Sequence, residues 1–140
     1  MKSRKKVLII DGQGGKMGRQ LAEALLQQEN PPEITVVGTN AIATANMLKA
    51  GNVQAATGEN SVIVGSRRAD VIAGPIGIVM ADSLLGEITT AMATAVAQSE
   101  AFKVLLPVNR CGHYIVGASD KSLSQLINEA AQVIMEQITD

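Results

Sequence analysis

The run Asp11-Gly12-Gln13-Gly14-Gly15-Lys16-Met17-Gly18-Arg19 follows directly on the apolar stretch Val7-Leu8-Ile9-Ile10, and few backbones satisfy both segments at once. A buried strand that turns through glycines into a helix does. Gly12 allows a sharp exit from the strand, Gly15 lets a backbone approach a diphosphate, and Gly18 lets the new helix pack closely on the sheet. The opening turn of such a helix carries unpaired N–H groups and about half an elementary positive charge, which suits an anion. These residues therefore point to a nucleotide, with a dinucleotide such as NAD or NADP as the expected cofactor. Gly12, Gln13, Gly14, Gly15, Lys16, Met17 and Gly18 are its expected contacts.

The helix after the turn is marked by Met17, Leu21 and Leu25 at spacings of four, and it ends before Pro31-Pro32. A second strand, Ile34-Thr35-Val36-Val37-Gly38, leads to Thr39-Asn40. That position lacks the acidic residue that binds a ribose 2′-hydroxyl and the arginine that accepts a 2′-phosphate. Asn40 is the expected hydrogen-bond donor there instead. Asp11 would repel a phosphate unless its carboxylate turns into the loop backbone or meets Lys16.

The segment Gly12 to Leu21 resembles the phosphate loop in the nucleotide-binding half of dihydrodipicolinate reductase, a likeness that covers about the first thirty residues. The resemblance implies a nicotinamide dinucleotide against Gly12, Gly15, Lys16, Met17 and Gly18. That family's histidine-rich catalytic segment has no counterpart in a chain with one histidine. Taken whole, the chain is more similar to small uncharacterised bacterial proteins with a Rossmann-like fold, which implies a fold and leaves activity open.

A length of 140 residues fits one compact domain, residues 1–140, and leaves no room for a separate substrate domain. The aromatic side chains are Phe102 and Tyr114, so the core must be aliphatic. Twelve Lys and Arg against 13 Asp and Glu give a net charge of −1, and no basic field exists to hold nucleic acid. The single cysteine rules out an internal disulfide, and the first apolar stretch is too short for a secretory signal. No membrane span is in view. A reducing cytoplasm is the expected compartment.

Strand-like and helix-like segments alternate, which predicts an α/β fold: a single-domain Rossmann-like three-layer sandwich with a mostly parallel sheet. Residues 41–50 read as a helix capped by Asn40, and Val53–Ala56 as a third strand. Residues 60–68 form either a short crossover helix or half of a hairpin with Asp70–Ala73. A parallel crossover needs about a dozen residues, more than separate the two runs, and the helix is favoured because a right-handed crossover completes the first half of the fold. Gly74-Pro75-Ile76-Gly77 ends the fourth strand where α/β sheets open a ligand crevice, making Gly74 and Pro75 further cofactor contacts or an ordinary turn. Ile88, Met92 and Val96 form a core stripe of a helix rich in small residues (Ala91, Ala93, Ala95, Ala97), which makes a homo-oligomer the expected state. Lys103–Pro107 is the fifth strand. Tyr114–Gly117 follows too closely for a parallel crossover and should pair with it antiparallel. Ser122 and Gln125 form a capping box for the closing helix.

Side-chain chemistry concentrates in Asn109-Arg110-Cys111-Gly112-His113, beyond the fifth strand. Arg110 can clamp a phosphate or carboxylate, Cys111 can act as a nucleophile if its pKa is lowered, and His113 can exchange protons near neutrality. The competing reading is packing alone. Arg67-Arg68 beside Asp70 reads as a solvated pair at a helix end, and Asp82-Ser83 as a helix cap. Three functions fit: a nucleotide-binding protein, with oxidoreductase activity the enzymatic version; a non-catalytic nucleotide sensor or interaction module; and a transferase or hydrolase using the turn as an oxyanion cradle with Cys111 as its reactive group.

Overall fold

A computed structural model describes residues 4–108, 112–118 and 120–139. Apolar runs become strands and the spacing-of-four stripes become helices, in the order β1 Lys6–Asp11, α1 Lys16–Leu26, β2 Glu33–Gly38, α2 Ala41–Leu48, β3 Gln54–Thr57, α3 Glu59–Arg68, β4 Val71–Pro75, α4 Thr90–Gln98, β5 Phe102–Leu106 and α5 Leu123–Ile138. A short 3₁₀ turn, Ile76–Val79, follows β4. The five strands form one sheet in the order β3-β2-β1-β4-β5, and every pairing is parallel. This is a single Rossmann-like α/β domain.

Position in the sheet explains strand composition. β1 is central and covered on both faces, so Val7 to Ile10 are all buried, whereas the edge strand β3 is largely exposed and reads Gln-Ala-Ala-Thr. Alternation along β1 divides the core in two. Val7 and Ile9 join Leu21 and Leu25 of α1, Met47 of α2 and Ile127 and Ile134 of α5. Leu8 and Ile10 join Val62 of α3, Ile78, Leu84, Ile88, and Met92 and Val96 of α4. α1, α2 and α5 thus cover one face, and α3 and α4 the other.

The expected third layer and the crossover helix at 59–68 are present. Arg67 and Arg68 are exposed in the last turn of α3, while the Asp70 carboxylate accepts the Lys6 amide at 2.8 Å. Three expectations need correction. Residues 114–117 form no strand; they run as coil and turn with Tyr114 and Val116 exposed, so the β-branched run has no buried face to pair for. Asp82-Ser83 caps no helix: α4 begins at Thr90, capped by Thr89, while Asp82 adopts φ 67° and the buried Ser83 hydroxyl donates to the Gly77 carbonyl. Ala93 packs into the core, which leaves Ala91 and Ala97 as the exposed alanines of α4. Among the described residues no helix is long and apolar enough to cross a membrane.

The Ser122 side chain accepts the Gln125 amide, and Gln125 accepts the Ser122 amide in return, which starts the helix that closes the α1 face. Ser122→Ala should lower stability by about 1 kcal/mol, read as a reduced urea midpoint with an unchanged slope.

Candidate functional site

At the carboxyl end of the sheet, β1 continues to α1 on one face while β4 continues toward α4 on the other. This divergence of neighbouring strands is where open α/β sheets form a ligand crevice. The glycine turn occupies one wall. Its conformation is fixed by Asp11, whose buried carboxylate accepts the Gly12 amide through Oδ1 and the Gly18 amide through Oδ2, both at 2.8 Å. Of the two fates open to this carboxylate, the structure takes the first, an acceptor for the loop backbone. Burial pushes the Asp11 carboxyl up from its ordinary range; the two amides pull it down, and the charge of Glu87 adds to the rise.

α2 holds the turn from outside. Asn40 Nδ2 donates to the Gln13 carbonyl at 3.0 Å, and Asn46 Nδ2 donates to the Gly14 carbonyl at 2.9 Å. In a trans peptide the N–H points opposite to the carbonyl, so the Gln13–Gly14 unit turns the Gly14 amide away from Asn40. Gln13, Gly14 and Lys16 are exposed, and a Cβ placed on Gly14 meets nothing within 4 Å. Gly15 closes the turn, its amide donating to the Gly12 carbonyl at 3.0 Å.

Gly15 does different work from that expected. A Cβ on Gly15 would lie 2.6 Å from the Ala43 carbonyl oxygen, and its φ of 74° is left-handed; the missing side chain admits α2, not a diphosphate. Gly18 does serve helix packing, since a Cβ there would strike Met47 Sδ and lie 3.0 Å from Asp11 Cβ. Gly74 lies within β4, tight against the Ile10 carbonyl, and Pro75 is buried as the last residue of that strand. Strand packing accounts for both.

A residue without a signal in the sequence completes the site. Glu87, in the segment between β4 and α4, places its carboxylate over Gly12, 2.5 Å from where a Cβ would be. Its Oε1 accepts the Gln13 amide at 2.7 Å and the Thr39 hydroxyl at 2.9 Å, and Oε2 accepts Asn40 Nδ2 at 2.8 Å. Burial raises the Glu87 carboxyl, but these three donors outweigh it and hold the group below its ordinary range. Both Asn40 donors are committed: its amide hydrogens go to Gln13 and Glu87, while its Oδ1 accepts the Ala43 amide. Leu84, 1% exposed, seals the same wall from below.

The inner donors of the turn therefore hold the protein's own carboxylates. The amides of Gly12 and Gly18 serve Asp11, and that of Gln13 serves Glu87. Gly14 and Lys16 form the exposed part of the cradle. Arg110 and Cys111 lie outside the described residues; His113 is exposed on the segment after β5. Among the described residues, no three His, Cys, Asp or Glu side chains converge as metal ligands.

Two measurements separate these roles. Gly15→Ala should cost about 2–4 kcal/mol by combining left-handed strain with a collision against backbone, while Gly14→Ala stays within about 0.5 kcal/mol. Chemical denaturation of both variants checks the pair. Because the Glu87 carboxyl is held below its unfolded value, its contribution is complete above the ordinary carboxylate range and is lost as pH falls through the folded pKa. Glu87→Gln should lower stability by about 1 kcal/mol at pH 7, with the gap to wild type closing below about pH 4.

No curated protein matches the chain. A family model described as a domain of unknown function, DUF3842, matches residues 6–139, nearly the whole chain, and the protein belongs to that family.

Proposed function

We propose that this domain binds a nucleotide, a dinucleotide such as NAD or NADP being the best fit, with the phosphates at the outer face of the glycine turn. The observation that carries the reading is the receptor itself. A backbone amide, a hydroxyl and a side-chain amide from the ends of β1 and β2 converge on one carboxylate at the switch point of a β3-β2-β1-β4-β5 sheet. Donors arranged to stabilise a carboxylate also suit phosphate and ribose oxygens. The likeness of Gly12–Leu21 to the phosphate loop of dihydrodipicolinate reductase supports the same ligand class.

Gly14 and Lys16, exposed at the start of α1, are the phosphate contacts in this reading, and the Lys16 ammonium supplies positive charge. Electrostatics limits how far inward a phosphate reaches. Two unit charges about 4 Å apart near a protein surface repel by about 4 kcal/mol, so a phosphate does not share the space over Gly12 with Glu87. The adenosine end takes the Thr39-Asn40 end of β2 only when the carboxylate leaves.

A non-catalytic nucleotide sensor is the second reading, and the closure of the crevice by Glu87 and Leu84 favours it over an enzyme with a standing active site. A homo-oligomer assembled through the exposed alanines of α4 belongs to both readings. In the oxidoreductase version Arg110 or His113 orients substrate, whereas Cys111 is the reactive group of the transferase or hydrolase reading.

Thermal unfolding with NAD, NADP, ADP, FMN and coenzyme A tests the proposal. A ligand present at 100 times its Kd should stabilise by about 2.7 kcal/mol, a Tm shift of about 9 °C. Gly14→Asp places a like charge in open space at the cradle and should abolish that shift while leaving the unliganded Tm within about 2 °C. A panel in which no nucleotide shifts either the wild type or Glu87→Ala overturns the reading, as does an undiminished shift in Gly14→Asp.

A further inference from the structure

The segment from Ile76 to Thr89 departs from β4 at the switch point and returns to α4, and its conformation is costly. Asp82, Leu84 and Leu85 adopt φ of 67°, 55° and 55°, and Gly86 follows at 85°. Residues with a Cβ rarely take the left-handed region, and here two leucines do so in succession. Leu85 draws no return from burial, being 91% exposed. The turn is held by its own backbone, with the Asp82 amide donating to the Ile88 carbonyl at 2.7 Å and the Glu87 amide to the Leu84 carbonyl at 3.1 Å. Its product is a pair of contacts across the crevice: Leu84 buried beneath Gly12, and the Glu87 carboxylate on Gln13, Thr39 and Asn40.

We propose that this segment is an autoinhibitory strap, with Glu87 as a built-in competitor for the nucleotide site. The inference rests on the nucleotide reading above and names how that site is regulated. Three features carry it. Glu87 holds the donors nearest Gly12, so a phosphorylated nucleoside must exchange its own oxygens for the carboxylate. The backbone turn that delivers Glu87 is strained, so its conformation is one the contacts across the crevice help to maintain. The residue is half-buried, and rotation of its side chain toward solvent releases the Gln13 amide, the Thr39 hydroxyl and one Asn40 hydrogen together without moving a core residue.

The strap is also selective. Glu87 stands over Gly12 and the end of β2, while a Cβ on Gly14 would meet nothing within 4 Å, so an inorganic anion at the outer cradle leaves it in place. A ligand that extends from the cradle toward β2 has to displace it. Extended nucleotides therefore open the strap, and pyrophosphate alone does not.

The test uses the full chain with NAD and, separately, inorganic pyrophosphate as probes. Glu87→Ala should bind NAD at least about tenfold more tightly than wild type by calorimetry, since a binding-competent state no longer has to be selected from a closed one. Glu87→Gln, which keeps the shape and removes the charge, should tighten binding in the same direction and guards against a folding defect in Glu87→Ala. In wild type, saturating NAD should shift the Gln13 and Gly12 backbone amide resonances as the carboxylate leaves, and pyrophosphate should leave the Gln13 resonance unmoved. If wild type binds NAD and both variants bind it equally or more weakly, the strap is wrong and the nucleotide reading stands. If neither wild type nor either variant binds any nucleotide, both are wrong. A Gln13 resonance unchanged at NAD saturation overturns the strap on its own.

Discussion

The tie between Asp11 and the amides of Gly12 and Gly18 is the contact on which the site depends. One carboxylate, 4% exposed, closes the end of the central strand onto the first turn of α1. It fixes the path of residues 12–18 and so brings Gly15 against Ala43, exposes Gly14, and sets the Gln13 and Gly14 carbonyls where Asn40 and Asn46 reach them. Its burial is tolerable because both oxygens are matched by N–H donors, and a buried ionisable group without such partners is expensive. The same tie decides what remains for a ligand. A helix N-terminus offers about half a positive charge, and here the Asp11 and Glu87 carboxylates already lie near it, so an additional anion is favoured chiefly at the outer amides and Lys16.

The frame of the molecule was legible because it is encoded by neighbours in sequence. Periodicity in Met17, Leu21 and Leu25 and in Ile88, Met92 and Val96 marked faces that are buried, and Asn40 and Ser122 marked helix starts that cap as expected. Between a crossover helix at 60–68 and a hairpin, the need for a right-handed crossover favoured the helix, and α3 spans Glu59–Arg68. An antiparallel sixth strand was expected at Tyr114-Ile115-Val116-Gly117, from its composition and from a connection after β5 too short for a parallel crossover. Its β-branched residues had the propensity, but a strand also needs a face to bury, and Val116 is exposed.

The site was legible only in part, because its decisive contact joins residues 74 positions apart. Glu87 is a lone acidic residue beside a glycine, without periodic partners, and nothing local distinguishes it from a solvated charge. Its placement depends on left-handed backbone at Leu84 and Leu85, which propensity argues against. Gly15 misled for a related reason. The glycine pattern is the same whether the missing Cβ makes room for a ligand or for another helix, and only the position of Ala43 separates the two.

The sheet order explains why this segment lies over the glycine turn. In the order β3-β2-β1-β4-β5, the connection leaving β4 is the one that begins beside β1 yet belongs to the opposite face, so any elongation of it falls across the glycine turn. Leu84 anchors that elongation in the core shared by Leu8 and Ile10, while Glu87, three residues on, reaches the polar ends of β1 and β2. The apolar anchor and the polar latch thus separate two tasks. In the proposed strap, Leu84 would hold the segment in place while the Glu87 side chain rotates away, and a ligand would gain only what its oxygens offer the three donors beyond what Glu87 already offers them.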